Sequence, residues 1–184
     1  PPVEPGTKFL PYKRDELLAR PWALPGTKGL MHRIGGIEKQ DGTGNISYDP
    51  ANHEKMVRLR AEKVARIADR FKPIRLDSGP PEGELLIVGW GSTYGAIRTA
   101  ALQLQQEGQS VAHVHIRHLF PFNKGLGPLL KKYKKVLVPE MNSGQLRQML
   151  RGEFLVDAQG LNKIQGMPFT SEEIREGVLN LLKS

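Results

Sequence analysis

The sequence predicts an α/β fold: a mostly parallel sheet of about five strands with helices on both faces, preceded by an extended N-terminal arm. Three observations predict it. From Glu84 onward, short apolar runs alternate with segments of helical periodicity, the pattern of parallel strands joined by right-handed helical crossovers. The first fifty residues lack that rhythm and hold Pro1, Pro2, Pro5, Pro11, Pro21, Pro25 and Pro50, with glycines at 6, 26, 29, 35, 36, 42 and 44. The 184 residues are 39% hydrophobic and 25% charged, enough for one packed core and something extra.

The chain divides into an arm over 1–50, a helix and linker over 51–81, and an α/β domain over 82–184. In the arm, Pro removes backbone donors and Gly costs entropy, so only Asp15 to Ala19 is expected as a short helix. Phe9, Tyr12, Trp22, Leu24 and Ile34 are anchors that disordered segments lack, so the arm is expected to lie across something. Without partner chains, or a neighbouring copy, it is expected to be partly ordered at best.

Asn52 to Phe71 reads as a helix, with Met56, Leu59, Val64, Ile67 and Phe71 roughly on one face. Glu54 before Arg58 and Glu62 before Arg66 add favourable i,i+4 pairs. Lys72-Pro73 stops it, and Asp77-Ser78-Gly79-Pro80-Pro81 is a linker. Leu85 to Val88 is the first strand. Thr93 to Glu107 is a helix with Ile97, Ala100, Ala101 and Leu104 inward and Gly108 as its stop. Val111 to Ile116 is a strand that places His113 and His115 on one face. Leu126, Leu129, Leu130 and Tyr133 keep helical spacing, with Pro128 in the first turn. Lys135 to Val138 is the third strand. A short helix over Gly144 to Arg151 turns Leu146, Met149 and Leu150 inward. Phe154 to Val156 and Leu161 to Ile164 are candidate short strands. Thr170-Ser171-Glu172-Glu173 is a capping box that opens a last helix with Ile174, Val178 and Leu181 inward.

Composition excludes several classes. There is no cysteine, so this chain makes no disulfide and supplies no thiolate to an iron–sulfur cluster. That fits a cytoplasmic location. No apolar stretch approaches the roughly 20 residues of a membrane span, and no signal sequence opens the chain. It starts Pro1-Pro2-Val3 without Met, so a piece of a longer protein is expected. Lys plus Arg is 27 against 19 Asp plus Glu, a formal charge of +8. Such a surplus suits polyanions. Lys131-Lys132-Tyr133-Lys134-Lys135 could meet an acidic partner, but solvated lysines at a helix end are the commoner case. Nothing resembles a nucleic-acid recognition module.

Strand ends of a parallel sheet are where ligands bind. Gly89, Gly91 and Gly95 lie at one, spaced G-x-G-x-x-x-G, one residue longer than the dinucleotide fingerprint. His115, Arg117 and His118 stand where an acidic ribose ligand is wanted, which leaves NADP open and disfavours NAD. The plainer reading is a tight turn with close helix–strand packing. Glu140 and Asn142 lie at the end of the third strand. They could meet a ligand, but Asn142 or Ser143 as a helix cap and Glu140 paired with a basic neighbour is the favoured reading. His113, His115 and His118 show no third-ligand pattern, so no metal site is assigned. No Ser–His–Asp arrangement or G-x-S-x-G elbow is visible. The loop from Gly29 to Asn45 has neither strand nor helix period yet is dense in functional groups, as functional or partner-held loops are.

Four stretches together, RPWALPGTKGLMHRIGGIEKQDGTGNISYDPANHEKM, VGWGSTYGAIRTA, VPEMNSGQLRQMLR and AQGLNKIQGMPFT, resemble the C-terminal part of the alpha subunit of 2-oxoacid:ferredoxin oxidoreductases, the 2-oxoglutarate enzyme most of all. The resemblance implies oxidative decarboxylation of a 2-oxoacid onto coenzyme A with electrons passed to ferredoxin. It implies thiamine diphosphate with magnesium and a [4Fe–4S] cluster in the whole enzyme, with the diphosphate site, metal and cluster cysteines on a beta subunit. It also implies that this part is a three-layer α/β/α domain like the transketolase C-terminal domain. That domain supports assembly, binds no cofactor and carries no catalytic residue of its own. The partners are then the rest of the alpha subunit, the beta subunit and, through the whole enzyme, ferredoxin; nucleic acid and membrane are not expected. On this resemblance Gly89, Gly91, Gly95, Glu140 and Asn142 serve packing or subunit contact. The loop matching residues 29–45 runs toward the active-site region, with His32, Arg33 and Asp41 as candidates in polar or gating roles. Many relatives carry Glu where this chain has Met31, so no role passes to that position. The alternative is an independent NADP- or coenzyme A-binding module using Gly91, Gly95 and Arg117.

Overall fold

Asp49 ends the arm and starts the first helix. Its carboxylate accepts the Ala51 N–H at 3.0 Å, and Pro50 takes the first helical position, where no donor is needed. Pro50 therefore belongs to α1 (Pro50–Ala65) and not to the arm. A 3-10 turn over Arg66–Arg70 follows, so the α-helix ends before Phe71. Met56 is fully buried, whereas Ile67 is 47% exposed, so the expected apolar face is incomplete.

The computed structural model describes residues 8–184. Pro1, Pro2, Pro5 and Gly6 of the arm lie outside the described residues. The chain forms two units, one up to Arg70 and one over Phe71–Ser184. In the first, residues 8–49 contain no helix, only turns and the isolated antiparallel bridges Tyr12–Gly42 and Lys39–Ile46. The helix expected at Asp15 to Ala19 is instead a turn: Asp15 Oδ1 accepts the N–H groups of Leu17 and Ala19, and Leu18 sits at φ 60°. An Asp side chain that satisfies the backbone this way competes with a helix. Gly44, at φ 70°, is held against Pro11 and Tyr12; a Cβ there would come 2.7 Å from Pro11 Cγ.

The second unit is a four-stranded parallel sheet of order β2-β1-β3-β4. β1 is Gly83–Trp90, β2 Val111–Ile116, β3 Tyr133–Glu140 and β4 Ala158–Asn162. Leu86 pairs with Ala112 on one side and Val136 on the other. An interior strand covered on both faces loses polar alternation, which is why Leu85 to Gly89 are all buried.

The helices are α2 (Tyr94–Gln106), α3 (Leu126–Leu130), α4 (Gln145–Phe154) and α5 (Ser171–Lys183). Leu86, Val88, Val114, Val136 and Val138 pack with Leu126, Leu130, Leu146 and Leu150 of α3 and α4. Leu85, Ile87, Val111 and Leu137 pack with Ile97, Leu104, Ile174 and Val178 of α2 and α5. The sheet is thus the middle of three layers, as expected. Thr170 and Glu173 form the reciprocal cap that opens α5.

The sheet has four strands, against the expected number of about five. Phe154, expected in a strand, is the last residue of α4 and packs against Phe122, ring centroids 5.3 Å apart. Leu155 stops the helix in a left-handed conformation, φ 53°, and the edge strand begins three residues later, at Ala158. It ends at Asn162 rather than Ile164. Only Ala158 of β4 is buried, so the strand carries little apolar signal. Met149, expected inward on α4, is 38% exposed.

Candidate functional site

The strand order turns round between β1 and β3, and their carboxyl ends are the expected ligand crevice of such a sheet. Here the crevice is narrow: Ser92 Oγ lies 3.8 Å from Met141 Sδ across it. A pocket of about 560 Å³ opens instead beside the ends of β1 and β2, lined by Asp77, Trp90, Gly91, Tyr94, His115 and Arg117 among others.

The turn that shapes this pocket is locked locally. Thr93 Oγ1 donates to the Trp90 carbonyl at 2.8 Å and accepts the Trp90 N–H at 3.4 Å. Gly91 occupies φ 59°, a conformation that suits glycine. Gly89 is needed for a different reason. A Cβ there would stand 2.7 Å from Ile97 Cδ1 and 2.8 Å from His115 Nδ1. Side chains of Ile97 and His115 already fill the space beside the Gly89 Cα. Gly95 lies in the first turn of α2 with open space where a Cβ would go.

Two histidines back this wall. His113 is fully buried, with no hydrogen-bond partner at either ring nitrogen. Burial pushes its pKa down to about 4, against an opposing pull from Asp77. It is neutral at pH 7. Burial also lowers the pKa of His115, opposed by a hydrogen bond to the Gly91 backbone. Tyr94 meets His115 edge-on, centroids 5.0 Å apart, and His113 at 5.7 Å. Asp77 serves the edge of the sheet: its Oδ2 accepts the His115 N–H at 2.7 Å, and its own N–H donates to the His113 carbonyl at 2.8 Å. The linker reading of residues 77–81 gave no sign of this, since one Asp in a Gly-Pro stretch carries no periodicity. Among the described residues no three metal-ligating side chains converge.

At the end of β3, Glu140 is fully buried. Its Oε1 accepts the Leu146 N–H at 2.8 Å and its Oε2 the Arg147 N–H at 3.0 Å. Asn142 Oδ1 accepts from Gly144 N at 2.7 Å and Gln145 N at 3.1 Å. Asn142 caps α4, one of the two caps the sequence offered. Glu140 pairs with no basic side chain: the donors of the helix N-terminus, where the dipole favours negative charge, take that place.

The three residues singled out in the first unit are not assembled. His32 Nδ1 lies 2.8 Å from the Leu30 carbonyl, its ring edge-on to Phe9. It lines a pocket of about 630 Å³ with Leu24, Leu30, Met31 and Ile34. Arg33 is exposed. Asp41 pairs with Lys55 at 2.6 Å. Among the described residues no hydrogen bond or ion pair joins the three. The loop is held by Asn52, a residue that sequence reasoning missed. Its Oδ1 accepts the Asp41 N–H at 2.9 Å and its Nδ2 donates to the Lys39 carbonyl at 2.9 Å.

Comparison with known proteins places this arrangement. Residues 83–174 match the family described as pyruvate:ferredoxin oxidoreductase core domain II. The chain is 49% identical over 173 residues to the 2-oxoglutarate oxidoreductase subunit KorA of Mycobacterium tuberculosis, covering 94% of this chain and 26% of that protein. It is 30% identical over 176 residues to the 2-oxoglutarate synthase subunit KorA of Methanocaldococcus jannaschii, covering 92% of this chain and 45% of that protein. Among solved structures, the 2-oxoglutarate:ferredoxin oxidoreductase of Magnetococcus marinus, with 2-oxoglutarate, coenzyme A and succinyl-CoA bound, superposes with a TM-score of 0.87 at 31% identity. The match covers 98% of this chain and 32% of that one. The chain thus spans between about a quarter and a half of these relatives' lengths. With half of its residues matched to core domain II, the chain belongs to the pyruvate:ferredoxin oxidoreductase family.

Proposed function

We propose that this chain is the C-terminal support portion of an alpha subunit of a 2-oxoglutarate:ferredoxin oxidoreductase, and that the reactive centre is built from other parts of that enzyme. The observation that carries the reading is the 49% identity to the mycobacterial 2-oxoglutarate oxidoreductase subunit, which extends through the arm and α1 as well as the α/β unit. The reaction of the assembled enzyme is then oxidative decarboxylation of 2-oxoglutarate onto coenzyme A, with ferredoxin as electron acceptor.

The strand-end residues of the second unit do not fit the cofactors of that reaction. With no cysteine the chain offers no thiolate to an iron–sulfur cluster. Glu140, Asn142 and Asp77, the polar groups at the strand ends, are tied to backbone N–H groups. The support role rests instead on what these side chains do, which is to anchor helix and strand ends.

The test is reconstitution. The chain alone, given 2-oxoglutarate, coenzyme A, thiamine diphosphate and magnesium, is expected to reduce no viologen dye. The complete alpha subunit with its beta subunit is expected to do so. Deleting this portion from the alpha subunit should abolish assembly in gel filtration together with activity. Turnover by the isolated chain overturns the reading. Micromolar binding of NADP or coenzyme A to the isolated chain, abolished by Arg117→Ala, supports the rival coenzyme module instead.

A further inference from the structure

We propose that the first unit binds a small phosphate-bearing anion in the pocket between Arg14, Arg20, Lys39, Arg60 and Lys63. The inference concerns a site in the arm and α1 and does not depend on the oxidoreductase reading.

The pocket has a volume of about 510 Å³, the size of a small-molecule site. Its lining brings together five Lys or Arg side chains and a single carboxylate, Glu38. That carboxylate already has partners. It accepts from Arg60 at 3.3 and 3.4 Å and from the Lys39 N–H at 3.1 Å, and His53 Nδ1 lies 2.7 Å from its Oε2. These contacts, the Arg60 hydrogen bond first, hold the Glu38 carboxyl at about 2. Glu38 therefore compensates Arg60. Among the described residues Arg14, Arg20, Lys39 and Lys63 have no ion pair.

Two of these cations are placed as binding groups rather than as solvated surface. Lys39 is 3% exposed, and its ammonium donates to the carbonyls of Gly35, at 2.5 Å, and Ile37. An ammonium has three donors, so one is left. Arg14 has its Nε and Nη1 buried without any acceptor. Burial lowers its pKa, against an opposing pull from Asp41, with Arg20 and Arg60 adding repulsion. Arg14 is half-buried, but two of its nitrogens hold idle, buried donors; such donors are costly, and a ligand oxygen would remove that cost. Arg20 lies over the Tyr12 ring at 4.3 Å, which leaves its fork edge available.

The chemistry of the occupant follows from this geometry. A guanidinium fork matches two oxygens of one phosphate, and Lys adds a point charge. Four cations without an ion pair around one cavity suit more than the single charge of a carboxylate. The buried donors sit on Arg14 and Lys39, which suits a compact group.

Isothermal calorimetry of the full-length protein that contains this chain, with inorganic pyrophosphate, tests the proposal, with ADP as a second arm. Saturable binding is expected, weakened at least tenfold by Arg14→Gln and by Lys39→Met, and unchanged by Lys131→Gln in the second unit. Arg14→Lys keeps the charge and loses the fork, so it should fall between wild type and Arg14→Gln. This variant keeps the test decisive if Lys39→Met fails to fold. ADP binding ten times tighter than pyrophosphate supports a nucleotide as the phosphate source; equal affinity supports a free phosphate group. Three results overturn the proposal. One is no saturable heat at millimolar pyrophosphate. Another is equal weakening by Lys131→Gln. The third is an acidic decapeptide that displaces pyrophosphate with tenfold greater affinity, which makes the site a protein-docking patch.

Discussion

Glu140 and Leu146 are joined across a strand-to-helix turn: the buried carboxylate at the end of β3 accepts the backbone N–H of Leu146 at 2.8 Å. The same carboxylate takes the Arg147 N–H, so one side chain satisfies two of the orphan donors of α4. Most of the charged chemistry at the strand ends has this character. It holds elements in place.

Glu140→Ala should therefore destabilise the second unit substantially. The Leu146 and Arg147 N–H groups, one buried and one partly buried, lose charged acceptors worth about 1.5–3 kcal/mol each, so a total loss of about 3–6 kcal/mol is expected. Glu140→Gln keeps one acceptor oxygen and should lose about half as much. Urea unfolding of both variants checks this. A change below about 0.5 kcal/mol for the Ala variant would show that the contact carries no energy.

Gly89 and Gly95 should respond in opposite directions to the same substitution. Gly89→Ala drives a Cβ against Ile97 and His115 and should cost about 1–3 kcal/mol, as overpacked cores do. Gly95→Ala enters open space inside α2 and should stabilise by about 0.5–1 kcal/mol through helix propensity. Thermal melts of the two variants give the comparison. Equal losses at both sites would contradict the packing account.

His113 makes stability fall on mild acidification. Its pKa drops from an ordinary 6.5 to about 4 in the fold, so between those values the unfolded chain binds the extra proton and the native one does not. Stability then rises with pH across this window. It is fully present above 6.5 and is lost as pH falls toward 4, by an amount on the order of 3 kcal/mol if His113 acts alone. Replacing this buried imidazole by Leu should flatten the slope between pH 4 and 6.5 in denaturation curves. An unchanged slope would show that His113 is not its source.

Much of the fold is legible in the sequence. β2 begins at Val111 and ends at Ile116, as expected, because a short run rich in β-branched residues suits a strand. The Thr170–Glu173 cap is equally local. Phe154 and Leu155 were misleading because an apolar triplet carries no period of its own. Whether it extends β4 or ends α4 depends on Phe122 and Gly127, more than twenty residues upstream in the chain. The candidate residues were less legible than the elements. His32, Arg33 and Asp41 share one loop in sequence, yet Asp41 is tied to Lys55 on α1 and His32 to Phe9.

By itself the sequence determined the α/β class, the Thr170–Glu173 cap, the bounds of β2 and the family resemblance, since all of these reside in residues close along the chain. Only the tertiary structure decided that Glu140 faces helix donors rather than a basic side chain, that His113 is buried and neutral, and that Arg14, Lys39 and Lys63 surround one cavity. Those outcomes depend on desolvation and on contacts between distant segments, and neither has a signature in local spacing.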